Sequence, residues 1–194
     1  MYKLYLDSSG AILTIVVTKD NKILASHSEP AFQKQTELAL KTIDEILKNL
    51  KISLKDFNEV MITNGPGSYT GVRVAITFAK TLLVLNPGIK LFAINSLLLQ
   101  AGLNKAISII SGFNNKSYLA VYDHGKEIIT TQLVTEAAKD GIISDLRGYI
   151  VIKDFENVDI VANFLALQTE SKVINKIEEL KPLYIGDNFI SWVI

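Results

Sequence analysis

The stretch from Val60 to Leu85, VMITNGPGSYTGVRVAITFAKTLLVL, constrains this chain more than any other. Val60-Met61-Ile62 is an apolar run that reads as a short buried strand. Gly65-Pro66-Gly67-Ser68 then stops it: glycine opens positive φ, proline fixes φ, and Ser68 or Thr70 supplies a helix cap. From Gly71 to Leu85 the spacing is helical and no proline intervenes. Arg73, Thr77, Lys80 and Thr81 share one narrow stripe of that helix, and the rest of its circumference is apolar. A helix of that kind is buried on two sides. Periodicity leaves two covers open for the second side: the later half of this chain, or another chain.

Around this segment the pattern is that of an α/β protein. Tyr2–Leu6, Ala11–Val17 and Lys22–Ser28 alternate or run apolar between the turns Asp7-Ser8-Ser9-Gly10 and Lys19-Asp20-Asn21, which makes a three-stranded meander. Residues 31–50 read as a helix with Leu40, Ile43, Leu47 and Leu50 on one stripe, widened by Ala39 and Ile46, and with Lys41 and Glu45 at i,i+4 on the solvated side. Ser53 and Asp56 suit a capped turn before the Val60 strand. Asn86-Pro87-Gly88 ends the apolar helix, Ile89–Ile94 gives a strand, and Ser96 caps a helix to about residue 105. A second meander then follows at Ala106–Ser111, Ser117–Tyr122 and Glu127–Val134, with helix at 136–147, a strand at 149–152 and helices within 158–180. The recurrence predicts two lobes of related topology, 1–100 and 101–194, with the second shortened.

Composition narrows the function. Hydrophobic residues make up 48% of the 194, enough for a large core, and twenty basic residues balance twenty acidic ones. A chain that grips a nucleic-acid backbone unaided is usually basic, so unaided RNA binding is disfavoured. With no cysteine there is no disulfide framework and no thiolate ligand or nucleophile. The opening MYKLYLDSSG lacks the signature of a signal peptide, and no apolar run approaches the ~18 residues of a membrane span, so a cytoplasmic protein is expected.

No catalytic constellation emerges. Gly65, Gly67 and Gly71 miss GxGxxG because Thr70 stands at the third glycine position, and no GK[ST] is present, although amides at a helix start can still hold an anion. Asp7, at the end of the first strand, is either a Mg²⁺-holding carboxylate beside a nucleotide or, more simply, an Asx-turn residue. His27 and His124 have no ligand spacing and read as structural. No catalytic, cofactor-binding or metal residue is therefore assigned.

The segment Asn64–Leu83 resembles the signature of the TsaB (YeaZ) family of tRNA threonylcarbamoyladenosine biosynthesis, GPGSFTGLR followed by an apolar helix with AKG. Tyr69 stands here for Phe, and Thr81 for Gly. KLYLDSSG is similar to the family's strand-plus-DTST opening, Lys34-Gln35-Thr36-Glu37 to its QHSE-like segment, and Leu180–Ile185 to its PxYLR tail with Gly186 in place of Arg. Phe113–Ser117 departs from the family's DARR-like turn. The resemblance implies the actin-like ATPase (ribonuclease H-like) fold, two related lobes each with a mixed sheet and helices.

It also implies a non-catalytic subunit. Such a subunit binds the catalytic TsaD subunit as a heterodimer, which joins the ATPase TsaE and meets tRNA only through the complex. That assembly transfers threonylcarbamoyl from its AMP ester to N6 of adenosine 37. Gln35 and Ala39 occupy the positions of the catalytic relative's HxxxH metal site. The helices at 31–50 and 71–85 would lie side by side against an equivalent pair of the partner, contacting it through Leu38, Ala39, Thr42, Ile46, Val72, Arg73, Ile76, Ala79 and Leu83. The same face would close as a homodimer in the partner's absence. The alternative is a small actin-like nucleotide-binding hydrolase or kinase acting alone. It needs an acidic or phosphate-gripping motif in the second lobe, where Ile110-Ser111-Gly112-Phe113 offers no aspartate. A peptidase finds no metal spacing or triad.

Overall fold

A computed structural model of the chain describes residues 1–31 and 34–185. Phe32 and Gln33, within the helix predicted over 31–50, and Gly186 of the tail motif lie outside the described residues. Strands β1 (Tyr2–Asp7), β2 (Ile12–Lys19) and β3 (Lys22–Pro30) form the antiparallel meander. Helix α1 (Gln35–Leu50) leads to β4 (Phe57–Thr63), and α2 (Tyr69–Leu85) leads to β5 (Lys90–Ile94). β4 pairs parallel with β1, and β5 parallel with β4. Helix α3 (Ser96–Ala101) opens the second unit: β6 (Ala106–Ser111), β7 (Lys116–Asp123) and β8 (Lys126–Thr135) in a meander, α4 (Glu136–Asp145), and β9 (Ile150–Lys153) parallel to β6. Helix α5 (Ile160–Ala166) and β10 (Lys172–Ile174) follow.

The sheets run β10-β5-β4-β1-β2-β3 and β8-β7-β6-β9. Both place the third, second, first and fourth strands of their unit in that order, so the recurring meander marks a repeat of topology. Two lobes of one α/β plan result.

Alternation along each strand builds the layers. Leu4 and Leu6 of β1 face one core with α1 and α2, whereas Tyr5 between them faces a second core. That second core is filled by α3 and α5 and backed by Ala106, Ile110, Ala120 and Tyr122 of the other sheet. Ile107, Ile109, Leu119 and Val121 point the opposite way, toward Ile142 and Ile143 of α4. Gln100 ties the middle layer to the second sheet. Its amide donates to Ser108 Oγ (2.7 Å), Ile109 O (3.0 Å) and Ile152 O (3.0 Å), and its oxygen accepts from Phe155 N (2.5 Å).

Helix α2 is covered on one side by the first sheet and α1, not by the later half of the chain. Val72, Ala75, Ile76, Ala79 and Leu82 are buried against the sheet and α1. Arg73, Thr77 and Thr81 face solvent, and so do Val84 and Leu85 at its end.

Three local readings are corrected. Asn95, not Ser96, caps α3, its Oδ1 accepting from Leu97 N at 2.8 Å, and the helix ends at Ala101, well short of residue 105. Within 158–180 only α5 is α-helical. Lys172–Ile174 is instead a strand antiparallel to β5, where β-branched Val173 and Ile174 find pairing partners that local helical spacing cannot reveal. The Ser53–Asp56 turn forms as expected, with a complete capping box. Among the described residues no helix is long and apolar enough to cross a membrane.

Candidate functional site

Because β1 and β4 run parallel, their C-terminal ends and the turns that follow meet at one edge of the sheet. Asp7 ends β1 and is 1% exposed. Its Oδ1 accepts from Ser9 N (2.9 Å), Ser9 Oγ (2.7 Å) and Thr63 Oγ1 (2.7 Å), while Oδ2 is buried with no hydrogen-bond partner among the described residues. Burial pushes the carboxyl above its ordinary range, and the bonds from Thr63 and Ser9 pull it back. The bond to the amide two residues on is the Asx-turn arrangement, the simpler of the two readings of Asp7.

The glycine-rich turn is laid directly on the β1–β2 turn. Ser68 N donates to Ser9 O at 2.7 Å, and Ser8 Oγ donates to Gly71 O at 2.8 Å. A Cβ on Gly67 (φ +151°) would sit 2.3 Å from Ser9 O, and one on Gly71 1.8 Å from Ser8 O. Only glycine permits this approach. Ser68 is the cap, its Oγ accepting from Gly71 N at 3.2 Å. Two amides at the start of α2 that could have met an anion are thus used within the chain.

Between the lobes lies a cleft of about 420 Å³, lined on one wall by Ser9, Gly10, Gln35, Gly67, Ser68 and Thr70. The opposite wall presents Ile110, Ser111 and Asp154. Ser111 N and Ser111 Oγ donate to the two carboxylate oxygens of Asp154, each at 2.7 Å. The aspartate that Ile110–Phe113 lacks therefore arrives from the end of β9. Sequence reasoning misses it, because local spacing does not reveal the parallel pairing of β6 with β9. Gln35 Nε2 reaches toward Gly10 O (3.5 Å). His27 lies beside Glu29 (3.0 Å) and His124 beside Asp123 (2.5 Å), and neither lines the cleft.

Comparison with known proteins fits this geometry to a family. Residues 24–182 match the family TsaD, tRNA N6-adenosine threonylcarbamoyltransferase. An uncharacterized protein of Mycoplasma pneumoniae is 32% identical over 96% of this chain and 95% of its own. The tRNA threonylcarbamoyladenosine biosynthesis protein TsaB of Buchnera aphidicola (subsp. Schizaphis graminum) is 37% identical over 50% of this chain and 46% of its own. The chain belongs to the TsaB/YeaZ family. YeaZ from Pseudomonas aeruginosa has the same fold, with a TM-score of 0.68 and 17% identity over 95% of this chain and 99% of that one. The α/β, actin-like ATPase architecture of the TsaB/YeaZ family is thus that of the two lobes described above.

The structure also places the nine residues of the helix pair that the sequence resemblance singles out. Of the nine residues expected there, Ala39, Thr42, Ile46, Val72, Ile76 and Ala79 are buried within this chain, since α1 and α2 pack on each other and on the sheet. Leu38 and Leu83 are half-buried, and Arg73 is exposed. Exposed apolar side chains on the same helices are Leu40, Val84 and Leu85, of which Val84 is 72% exposed.

Proposed function

We propose that this chain is a non-catalytic subunit of tRNA N6-threonylcarbamoyladenosine synthesis that binds and activates a TsaD catalytic subunit. The observation that carries the reading is the docking of the GPGSYTG turn on the Asp7–Gly10 turn. Glycine contacts too close for any side chain pack this turn onto the end of β1, where the Asp7 carboxylate is buried and bonded within the chain. Family membership supports the pathway. The working surface is the outer face of α1 and α2, reached through Leu38, Arg73, Leu83 and the exposed Leu40 and Val84 rather than through the six residues buried in the chain's own core. TsaE joins the assembled pair, tRNA meets it through the complex, and the same face closes a homodimer when TsaD is absent.

The test is reconstitution of threonylcarbamoyl transfer to tRNA from the threonylcarbamoyl-AMP ester by cognate TsaD and TsaE, with and without this chain. The expected result is product only when the chain is present and none from the chain alone. Equal product without it contradicts the reading.

The Asp154 carboxylate beside Ser111 favours a second reading, a nucleotide-binding hydrolase or kinase acting alone. Its signature is ATP turnover by the isolated chain that Asp154→Asn abolishes.

A further inference from the structure

The start of α2 carries a built cluster that neither the cleft nor the helix packing uses. Tyr69 and Arg73 stand one turn apart, with the Arg73 guanidinium 3.9 Å from the Tyr69 ring centroid. Arg73 Nε and Nη2 both donate to Tyr184 Oη, at 3.0 and 2.8 Å. The two tyrosine rings stack at 6.3 Å with 30° between their planes. Tyr184 is brought there by the chain itself: Leu180 is buried in the first core, and Leu183 N donates to Asn64 O at 2.8 Å. Yet Tyr69 and Tyr184 are 55% and 59% exposed.

A guanidinium has five N–H donors, and Tyr184 takes two of them. No carboxylate among the described residues pairs with Arg73. Among the described residues the cluster is therefore a cation held over the Tyr69 ring and against the Tyr184 hydroxyl, with part of its donor fork open to solvent. Along the same stripe α2 adds the half-buried Lys80, and the helix contains no acidic residue at all. Tyrosine and arginine held in place before binding are the side chains that dominate protein interfaces, because little freedom remains to be lost. A nucleic-acid backbone is the less suitable occupant, since the chain as a whole carries as many acidic as basic residues.

We propose that Tyr69, Arg73 and Tyr184 form the anchor by which this chain grips a carboxylate side chain on its catalytic partner. The inference rests on the TsaD-binding reading and names the chemistry of its central contact. Arg73 supplies the open edge of its guanidinium fork to the carboxylate, a charge-assisted pairing that lysine cannot reproduce. Tyr69 underlies the fork and Tyr184 holds its inner edge, so its orientation is fixed before binding.

The experiment is titration calorimetry of the full chain with cognate TsaD, at low and high salt, for wild type, Arg73→Gln, Arg73→Lys and Tyr184→Phe. Thermal unfolding of each variant serves as the control for folding. Wild type is expected to bind more weakly at high salt. Arg73→Gln should weaken binding at least tenfold and lose most of that salt dependence, and Arg73→Lys should recover little. Tyr184→Phe, which keeps the ring and removes only the acceptor, should fall between wild type and Arg73→Gln. If wild type binds and Arg73→Gln binds equally well with the same salt response, the anchor is wrong while the partner reading stands. Failure of wild type to bind sinks both. Loss of affinity for tRNA with unchanged affinity for TsaD assigns the cluster to RNA phosphate and overturns the proposal.

Discussion

The first lobe ends its central parallel pair with Asp7 on β1 and Thr63 on β4, and the second ends the equivalent pair with Ser111 on β6 and Asp154 after β9. Each lobe joins a carboxylate to a hydroxyl across those strand ends, at 2.7 Å in both, but with the two groups exchanged between strands. In the first lobe the pair is buried beneath the glycine-rich turn, whereas in the second it is exposed on the cleft wall. The first sheet also continues past β4 into β5 and β10, while the second stops at β9. The same topology thus serves two ends. In one lobe the strand ends are a sealed structural knot, and in the other they remain an open polar surface.

That contrast predicts unequal sensitivity to matched substitutions. Gly71→Ala must push a Cβ into Ser8 O, and overpacking against backbone that cannot yield is expected to cost about 4 kcal/mol, read as a loss of urea midpoint or of the folded state. Asp7→Ala strands the Ser9 amide and the Ser9 and Thr63 hydroxyls in the interior, at about 3 kcal/mol, whereas Asp154→Ala at the exposed pair costs about 1 kcal/mol. Equal losses at the two aspartates would erase the distinction between knot and surface.

Asp7 also leaves a signature in pH. Its folded pKa lies above the ordinary 3.8, so the native state holds the proton more tightly than the unfolded chain. The stabilisation is complete below that ordinary value and is lost as pH rises through the folded pKa. Asp7→Asn removes the titration, so its stability relative to wild type should rise as pH climbs above the ordinary carboxylate range and through the raised folded pKa. Parallel pH profiles for the two proteins contradict the burial argument.

Smaller effects sharpen the comparison. Thr63→Val deletes a buried donor and should cost about 1.5 kcal/mol, against about 0.5 kcal/mol for Ser111→Ala. A Cβ added at Gly141 in α4 would meet nothing within 4 Å, so Gly141→Ala should stabilise the second lobe by about 0.5–1 kcal/mol.

Much of the fold is legible in the sequence, for physical reasons. Strand alternation from Tyr2 to Ser28 and its return after Ala106 reflect the period of the pleat, and this is enough to reveal the repeated meander. The GPGSYTG segment announces a turn that only glycine can make, though not that Gly67 and Gly71 make room for the carbonyls of Ser9 and Ser8. Pairing between distant segments is illegible: β10 looks helical until β5 gives it a partner, and Asp154 has no visible relation to Ser111. The helix faces are half legible. Periodicity finds the apolar positions of α1 and α2 but cannot say that Ala39, Ile76 and Ala79 are covered by the chain's own sheet and neighbouring helix.

The central claim is that this chain works by binding a catalytic subunit. The most direct measurement is size-exclusion chromatography with light scattering on the chain alone, on cognate TsaD alone, and on their mixture. The account predicts a one-to-one complex that replaces any homodimer. Separate elution of the two proteins, with nucleotide and TsaE present, would contradict it.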